Sequence, residues 1–346
     1  MISEIVSLIT GIIIFIYLKN IYNTNKEEFT NTEYKKDHIF ISIASYRDDE
    51  CPKTIKSIFE NAKNPKNIFI GICQQNKKGD IDCLLNEYKD NIRIKRLEYT
   101  EAKGPTYARY ICSTLCKNEE YFLQIDSHTD FVKDWDSIII DLYHKCPSSK
   151  TVITHYPPSK TDKTNLLSYM CKSSFNSEKI PTFESALIKD PKKNLLSPYI
   201  AGGMLFVKSE FLKEVPYDPH LPYLFQGEEI LLSARLWTNG YDFYLPRKNI
   251  CKHSYTRNDK PKFWNDIKSY NKIQKKSLLR VKYYLGWVKE KDITDKSILI
   301  NKEKYGLGNK RSIEDYLKFA GIDIKRQVNE NYCSKFILAK QDFIIS

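Results

Sequence analysis

The sequence predicts an α/β fold, with a doubly wound, mostly parallel central sheet and a helical C-terminal extension. Three observations lead to this prediction. Apolar runs of strand length alternate with helix-length segments at the distances typical of β-α-β units. Polar residues stand directly after several of these apolar runs. The chain beyond residue 266 is rich in lysine and has helical periodicity, as in NKIQKKSLLRVKYYL.

The first half contains four predicted strands and two predicted helices. The strands are HIFISIASY (38–46), NIFIGICQQN (67–76), IRIKRLEY (92–99) and YFLQID (121–126). A helix is predicted over CPKTIKSIFENAKNP, where Ile55, Ile58 and Phe59 recur at helical spacing and Pro65 ends the segment. The second predicted helix is GPTYARYICSTLCKNEE, which follows a Gly-Pro turn. This alternation is what places the strands in one parallel sheet.

The second half is less regular. The Gly pair of SPYIAGGMLFVKSEFL leads into a predicted strand and helix, and Glu228 and Glu229 stand at the start of an amphipathic helix. Residues 157–193 are predicted to form a long loop. We expect this loop and the segment after His253 to shape the binding of a second substrate.

The N-terminus carries an uncharged segment, Ile5 to Leu18. As a helix it would span about 21 Å, and with its flanks up to Tyr22 it could cross a hydrocarbon core of about 30 Å. No small-residue cleavage site follows, so the segment is predicted to be an uncleaved membrane anchor. Lysines follow the segment, which favours a cytosolic body, with the lumen of the secretory pathway as the alternative.

Charge and cysteine content narrow the class of protein. There are 55 Lys and Arg against 43 Asp and Glu, a formal charge of +12. Such a protein attracts anions, but it has no basic arm, zinc finger or RNP motif, so no nucleic-acid partner is predicted.

The nine cysteines are odd in number and form no CxxC pair. We therefore expect free thiols and a reducing compartment.

Candidate ligand-binding residues follow the predicted strands. Ser45, Arg47 and Asp48 follow the first strand, Gln74 and Gln75 end the second, and Asp126-Ser127-His128 follows the fourth. Doubly wound sheets bind ligands at this edge. The sequence contains neither a GxGxxG fingerprint nor a P-loop, so a bound diphosphate would need another source of positive charge, such as a metal ion.

Asp126 and His128 are the first candidate metal ligands. Residues i and i+2 of a strand point to the same face, so a carboxylate oxygen and an imidazole nitrogen could meet at one point. This pair of ligand types suits Mn²⁺ or Mg²⁺. A turn-forming aspartate beside an exposed histidine is the alternative interpretation. His253, in NICKHSYTR, is a second isolated histidine in a polar context.

Several motifs in order carry a resemblance to a known family. SIASYRD, GPTYARY, YFLQIDSH, Trp135-Asp136, LFQGEE and the YGLG segment resemble glycosyltransferase family 60, the polypeptide and hydroxyproline N-acetylglucosaminyltransferases. The resemblance runs from about His38 to about Asp323. The chain is more distantly similar to the mucin-type GalNAc-transferases. The resemblance implies a Rossmann-like GT-A fold, and with it a catalytic domain over 38–265 after an anchor (1–22) and linker (23–37), followed by a helical extension (266–346).

The resemblance also implies roles for particular residues. Asp126 and His128, in place of a DxD motif, and the downstream His253 would ligate Mn²⁺ (or Mg²⁺), which would hold the diphosphate of UDP-GlcNAc. Ser45, Arg47 and Asp48 would lie at the donor site near uridine. The set of implied donor-site residues also includes Arg109, Gly202, Gly203, Glu228 and Glu229.

Among these, Arg109 would pair with the uridine region or with the diphosphate, and Gly202 and Gly203 would line the sugar pocket. Glu228 and Glu229 are the candidate catalytic residues. One of the two would contact the donor sugar while the other caps the helix, and Glu228 is favoured for the sugar contact.

The expected function is a metal-dependent, retaining transfer of GlcNAc from UDP-GlcNAc to a hydroxyl of hydroxyproline, Ser or Thr in a protein or peptide. One alternative is a transferase that uses another UDP-sugar or a glycan acceptor. Another is a non-catalytic carbohydrate-binding protein on the same fold, although the presence of Asp126, His128, His253 and Glu228 argues against it. A metallohydrolase would need additional ligands near Asp126.

Overall fold

The computed structural model describes residues 33–325, 328–329 and 333. The strands are β1 (Lys35–Tyr46), β2 (Ile68–Asn76), β3 (Ile92–Glu98), β4 (Glu119–Asp126), β5 (Thr129–Phe131), β6 (Thr151–Thr154), β7 (Leu167–Phe175), β8 (Pro181–Ile188), β9 (Leu195–Ser197), β10 (Met204–Lys208), β11 (Asp242–Leu245), β12 (Cys251–His253), β13 (Ile322–Asp323) and β14 (Val328–Asn329). The four strands predicted in the first half are all present, with ends shifted by at most three residues.

Eight strands form the central sheet in the order β3-β2-β1-β4-β10-β6-β11-β9. β1 pairs in parallel with β2, and β2 with β3, so that Ile43 lies beside Ile72 and Ile72 beside Ile94. β10 runs antiparallel to both of its neighbours, β4 and β6, and β9 runs antiparallel to β11. The predicted mostly parallel sheet is confirmed, with β10 inserted against the common direction.

The longer helices form where apolar residues recur on one face of a segment. They are α1 (Cys51–Asn61), α2 (Pro105–Ser113), α3 (Trp135–His144), α4 (Phe211–Glu214), α5 (Glu228–Thr238), α6 (Phe263–Asp266), α7 (Tyr270–Tyr284), α8 (Lys302–Tyr305) and α9 (Ile313–Ala320). α2 is shorter than predicted, because Glu119 and Glu120 at the end of the predicted segment already belong to β4.

Two hydrophobic cores lie on the two faces of the sheet. Successive residues of a strand point to opposite faces, and β4 shows this directly. Phe122 packs in the same core as Leu231 of α5, whereas Leu123 packs with Ile58 of α1 and Ile139 of α3. Both faces of the sheet are therefore covered, as the apolar character of its strands requires.

The helices after residue 265 are built onto the same body. Val281 of α7 and Tyr316 of α9 are buried in the core that contains α5, and the described residues from Asp37 onward belong to one compact unit. The predicted boundary at residue 265 stays a prediction. The predicted anchor (1–22) and most of the linker lie outside the described residues. Within the described part of the chain, no helix is long and apolar enough to cross a membrane.

The predicted loop over residues 157–193 is wrong in its central part. β7 and β8 form an antiparallel hairpin there, in which Leu167 lies beside Ile188 and Phe175 beside Pro181. The side chains of Leu167, Tyr169 and Cys171 are buried, which explains why the hairpin adheres to the body. The largely apolar run LSYMC, in which only Ser168 is polar, was the signal for a strand.

The expectation of free thiols is wrong for four of the nine cysteines. Cys51 at the start of α1 is paired with Cys83 in the segment after β2, and Cys171 of β7 is paired with Cys333. The other five cysteines are free. Pairs 32 and 162 residues apart cannot be deduced from spacing, because spacing alone does not determine connectivity.

These pairings predict the number of reactive thiols. In protein denatured without reductant, five cysteines should react with a maleimide, and all nine should react after reduction. Cys51→Ala should raise the first count from five to six, because it frees Cys83, whereas Cys73→Ala should lower it to four. Mass spectrometry of the labelled protein gives the counts. A Cys51→Ala protein with an unchanged or lower count would contradict the pairing.

Candidate active site at the carboxyl edge of the sheet

The polar residues that follow β1, β2 and β4 meet around one cavity of about 520 Å³. Asp48 comes from the turn after β1, Gln75 from the end of β2, and Asp126 from the end of β4. The wall is completed by the Gly202-Gly203 turn before β10 and by the start of α5. The cavity therefore lies where a doubly wound sheet is expected to bind its ligand.

Three side chains form a candidate metal site on the floor of this cavity. Asp126 ends β4, His128 follows two residues later, and His253 ends β12. β12 pairs with β5 so that His253 lies opposite Thr129, the residue after His128, and this pairing brings the distant histidine to the site. The possible ligand atoms of the three residues lie within 4.8 Å of one another. This donor set of one oxygen and two nitrogens fits a divalent cation such as Mn²⁺.

The immediate contacts of the histidines fit the same interpretation. Nδ1 of His128 lies 2.8 Å from Oδ2 of Asp48, which leaves Nε2 free for a metal. Histidine ligands are commonly oriented in this way by a carboxylate. Nε2 of His253 lies 3.1 Å from Oδ2 of Asp126, and its buried Nδ1 has no hydrogen-bond partner among the described residues.

Asp126 is held ionised in this environment. Its Oδ1 accepts a hydrogen bond of 2.9 Å from Nη2 of Arg109. Burial opposes the charge, but the hydrogen bond with His253 and the positive charge of Arg109 outweigh it and hold the pKa of Asp126 well below its ordinary value. A permanently ionised carboxylate is suited to bind a divalent cation.

Asp48 lines the cavity and supports one of the candidate metal ligands. Its side chain is 2% exposed, and Oδ2 lies near both His128 and Oγ of Ser127, which donates at 2.5 Å. Oδ1 lies 3.0 Å from Nη2 of Arg257. Burial opposes its ionisation, but the contacts with His128 and Arg257 lower the pKa of Asp48. Its oxygens are thus engaged by protein groups, and Asp48 orients His128. The predicted contact of Asp48 with uridine stays a prediction.

Arg109 joins the two acidic parts of the cavity. Its Nη1 donates to Oε2 of Glu228 and its Nη2 to Asp126, and the arginine is only 6% exposed. Burial would lower the pKa of Arg109, but the negative charges of Glu228 and Asp126 raise it. Oε1 of Glu228 is buried without a hydrogen-bond partner. Arg109 thus fixes the carboxylates of Asp126 and Glu228, and it also lines the cavity. Its predicted pairing with the uridine region or the diphosphate stays a prediction.

Glu229 supports the glycine turn. Oε1 accepts 2.7 Å from the backbone N–H of Gly202, and Oε2 accepts 2.8 Å from the hydroxyl of Tyr156. Burial raises the pKa of Glu229 to about 7, although the hydrogen bonds from Gly202 and Tyr156 lower it. A Cβ at Gly203 would lie 3.1 Å from Oδ2 of Asp126, so a side chain there would crowd the candidate metal ligand.

Ser45 and Arg47 do not reach the cavity. Ala44 and Tyr46 line it, and strand alternation turns the intervening Ser45 to the opposite face, where it is fully buried. Arg47 pairs instead with Asp80 and Asp266, at 3.0 Å each. The prediction that both contact the donor is therefore corrected.

Two residues of the site were not predicted. Arg257 lies in KHSYTR, four residues after His253, and that motif was a signal for it. Tyr156 lies after β6 in a segment without a distinctive pattern, so the sequence carried no signal for it.

Comparison with family models identifies the class of enzyme to which the chain belongs. A family model described as Glycosyltransferase (GlcNAc) matches residues 38–89 and 85–326. The chain belongs to this glycosyltransferase family. No match was found among curated proteins.

A solved structure agrees with the fold of this glycosyltransferase family member. It is similar to GalNAc-T7, crystallised with UDP, GalNAc and Mn²⁺, with 14% identity and a TM-score of 0.53 over 88% of this chain and 56% of that chain. The chain thus spans little more than half of GalNAc-T7. S. aureus TarS 1–349, crystallised with UDP-GlcNAc, is matched with 13% identity and a TM-score of 0.47, over 76% of this chain and 71% of that chain. The match to GalNAc-T7 confirms the predicted GT-A fold.

The contact between Asp48 and His128 predicts an effect on metal affinity. Asp48→Asn should raise the Kd for Mn²⁺ in the presence of UDP by about 10- to 100-fold, because His128 loses its charged orienting partner. Isothermal titration measures the change. The matched control is Asp82→Asn, which removes an exposed ion pair with Arg96 and should leave the Kd unchanged. Equal affinities of the two variants would refute the orienting role of Asp48.

The raised pKa of Glu229 predicts a pH-dependent stability. Folding favours its protonated form, so its contribution is greatest below about pH 4.5 and is lost as the pH rises through about 7. Relative to Glu229→Gln, which does not titrate, the wild-type free energy of unfolding should fall by on the order of 2 kcal/mol between these limits. Urea unfolding in EDTA across this pH range measures the difference. A difference that does not vary with pH would contradict the raised pKa.

Proposed function

We propose that the protein is a metal-dependent glycosyltransferase that takes its sugar from a UDP-sugar, with UDP-GlcNAc as the donor. The observation that carries this proposal is the convergence of Asp126, His128 and His253 in a single cavity at the carboxyl edge of a GT-A sheet. The presence of UDP and Mn²⁺ in the GalNAc-T7 crystal structure supports it. The GlcNAc description of the matching family supports the choice of sugar.

The cavity offers a separate place for each part of such a donor. Tyr46 and Gln75, at the ends of β1 and β2, line the part that would hold uridine. The diphosphate would lie at the three metal ligands, and the sugar would lie against Gly202 and Glu228. The buried, unpartnered Oε1 of Glu228 would accept a hydrogen bond from a sugar hydroxyl. This would also remove the cost of an unsatisfied buried carboxylate oxygen.

The chemical step needs charge stabilisation on the leaving diphosphate, which a bound divalent ion supplies. The bond between the anomeric carbon and the phosphate oxygen breaks, and a bond to the acceptor oxygen forms. The acceptor proton passes to a phosphate oxygen of the departing UDP. Attack from the side of the leaving group would retain the anomeric configuration, as the resemblance to family 60 implies. Arg109 contributes by holding Asp126 and Glu228 in place.

The acceptor proposed is a hydroxyl of hydroxyproline, Ser or Thr in a protein or peptide. A different UDP-sugar, or a glycan acceptor, is the second candidate, because donor choice depends on small changes in the sugar pocket and the fold does not determine it.

We also propose a compartment for the catalytic body. Two disulfides form most readily in an oxidising environment, so they favour the lumen of the secretory pathway over the cytosol. The anchor proposed over residues 1–22 would tie the body to the membrane from that side. Thiol counting on protein isolated under alkylating conditions from its own cells tests this. Nine reactive thiols before reduction would restore the cytosolic assignment.

Release of UDP from a panel of UDP-sugars by the full chain tests the proposed function. We expect release from UDP-GlcNAc with Mn²⁺, none with EDTA, and a loss of about 100-fold or more in Asp126→Asn, because one metal ligand loses its charge. The control variant Asp82→Asn should retain the activity, because Asp82 is exposed and does not line the cavity. Absence of both release and binding of any UDP-sugar with any divalent metal would refute the transferase and favour the carbohydrate-binding alternative.

A further inference from the structure

A single buried hydroxyl joins helix α1 to the turn that carries His128. Oγ1 of Thr54 donates to the carbonyl oxygen of Ser127 at 2.9 Å and accepts from the backbone N–H of Thr129 at 2.9 Å. The two backbone groups lie on either side of His128 in the chain. Thr54 and Thr129 are fully buried, so these groups depend on the hydroxyl rather than on solvent. We call the two hydrogen bonds the Thr54 bridge.

The Thr54 bridge lies on the edge of β5 that faces α1. β12 covers one edge of β5, and α1 covers the other. Backbone groups alternate between the two edges of a strand, so the N–H groups of Thr129 and Phe131 both point toward α1. Thr54 accepts from the first, and Oγ of Ser57, one turn later on α1, accepts from the second at 2.8 Å. Two hydroxyls of a helix thus take the place of a neighbouring strand.

α1 is anchored at both ends, which gives the hydroxyl of Thr54 a fixed position. Cys51, the first residue of α1, is paired with Cys83. The carbonyl oxygen of Asn61, the last residue of α1, accepts from the backbone N–H of Asp134 at 2.7 Å. A helix that is held in this way can fix the turn that it contacts, because it does not move with that turn.

The ring and the backbone of His128 are held by different residues. Asp48 contacts Nδ1 of the ring, whereas the Thr54 bridge holds the peptide groups on both sides of the residue. We propose that Thr54 is a positioning residue, whose hydroxyl keeps this turn at the place where His128 meets Asp126 and His253. The proposal rests on the metal-binding role proposed for these three residues.

Loss of the hydroxyl would leave two buried backbone groups without partners, the carbonyl oxygen of Ser127 and the N–H of Thr129. Unsatisfied buried groups of this kind cost free energy, so the turn would shift to regain partners. His128 lies between the two groups and would shift with them. The geometry of the metal site therefore depends on a residue that does not line the cavity.

Affinity for Mn²⁺ in the presence of UDP, measured by isothermal titration, reports on the metal site. Thr54→Val replaces the hydroxyl by a methyl group and should raise the Kd by about 10- to 100-fold, as expected for a residue that orients a ligand. Thr54→Ala should have at least the same effect, and two variants guard against one that fails to fold. Thr54→Ser keeps the hydroxyl and should have a Kd close to that of the wild type.

The matched control is Ser57→Ala, which removes the equivalent hydrogen bond to Phe131 on the same edge of β5. It should leave the Kd unchanged, because Phe131 is not adjacent to a candidate metal ligand in the chain. Three results would each overturn the proposal: a wild-type Kd in Thr54→Val or Thr54→Ala, no recovery in Thr54→Ser, or an equal loss of affinity in Ser57→Ala.

Hydrogen exchange in the metal-free protein tests the Thr54 bridge without a metal or a donor. The amide of Thr129 should exchange slowly in the wild type and in Thr54→Ser, and about tenfold faster in Thr54→Val. Ser57→Ala should speed the exchange of Phe131 instead. Unchanged exchange of Thr129 in Thr54→Val would overturn the proposal. A wild type that shows the expected exchange but binds no Mn²⁺ would contradict the proposed function and leave the Thr54 bridge intact.

Discussion

The site depends on one buried guanidinium. Arg109 is a buried positive charge whose cost of burial is offset because Glu228 and Asp126 lie on either side of it. A buried charge without partners is costly, so this arginine requires both carboxylates to lie close to it. In doing so it connects the end of β4 to the start of α5 across the cavity. The candidate metal ligand and the candidate sugar contact are therefore held at a fixed separation before any donor binds.

A second set of contacts supports the metal ligands from outside. Asp48 orients His128, and Arg257 and Ser127 in turn hold Asp48. Arg257 comes shortly after His253, the last residue of β12. The same part of the chain therefore supplies the candidate ligand His253 and also Arg257, which contacts the Asp48 that orients His128. Preorganisation of this kind favours a single metal geometry and restricts which side chains can change without affecting the site.

The sequence was sufficient to predict the central strands of the first half, and it placed Asp126 and His128 together as candidate metal ligands. β1, β2 and β4 are largely apolar runs buried on both faces, β3 alternates at the edge of the sheet, and Asp126 and His128 stand where β4 ends. Other features depend on tertiary structure. Ala44 and Ser45 point to opposite faces of the sheet. Which of the two faces the cavity depends on which face of β1 borders it, and this is visible only in the folded sheet. The partner of Cys51 depends on which loop comes beside α1.

Burial also changed the expected role of individual charges. Arg47 and Asp48 are neighbours after β1, yet one turns outward to Asp80 and Asp266 and the other inward to His128. A charged residue at a strand end is equally compatible with donor contact and with a supporting ion pair. Its hydrogen-bond partners decide between them, and these partners come from distant parts of the chain. The hairpin of β7 and β8, by contrast, had a local signal in the largely apolar run LSYMC of β7.

The central claim is that Asp126, His128 and His253 hold one divalent ion against the diphosphate of a nucleotide. Pulsed electron paramagnetic resonance of the full chain with Mn²⁺ and UDP tests it most directly. The account predicts coupling of one manganese ion to two imidazole nitrogens and to phosphorus, with one nitrogen lost in His128→Ala. A manganese spectrum without imidazole or phosphorus coupling would contradict the account.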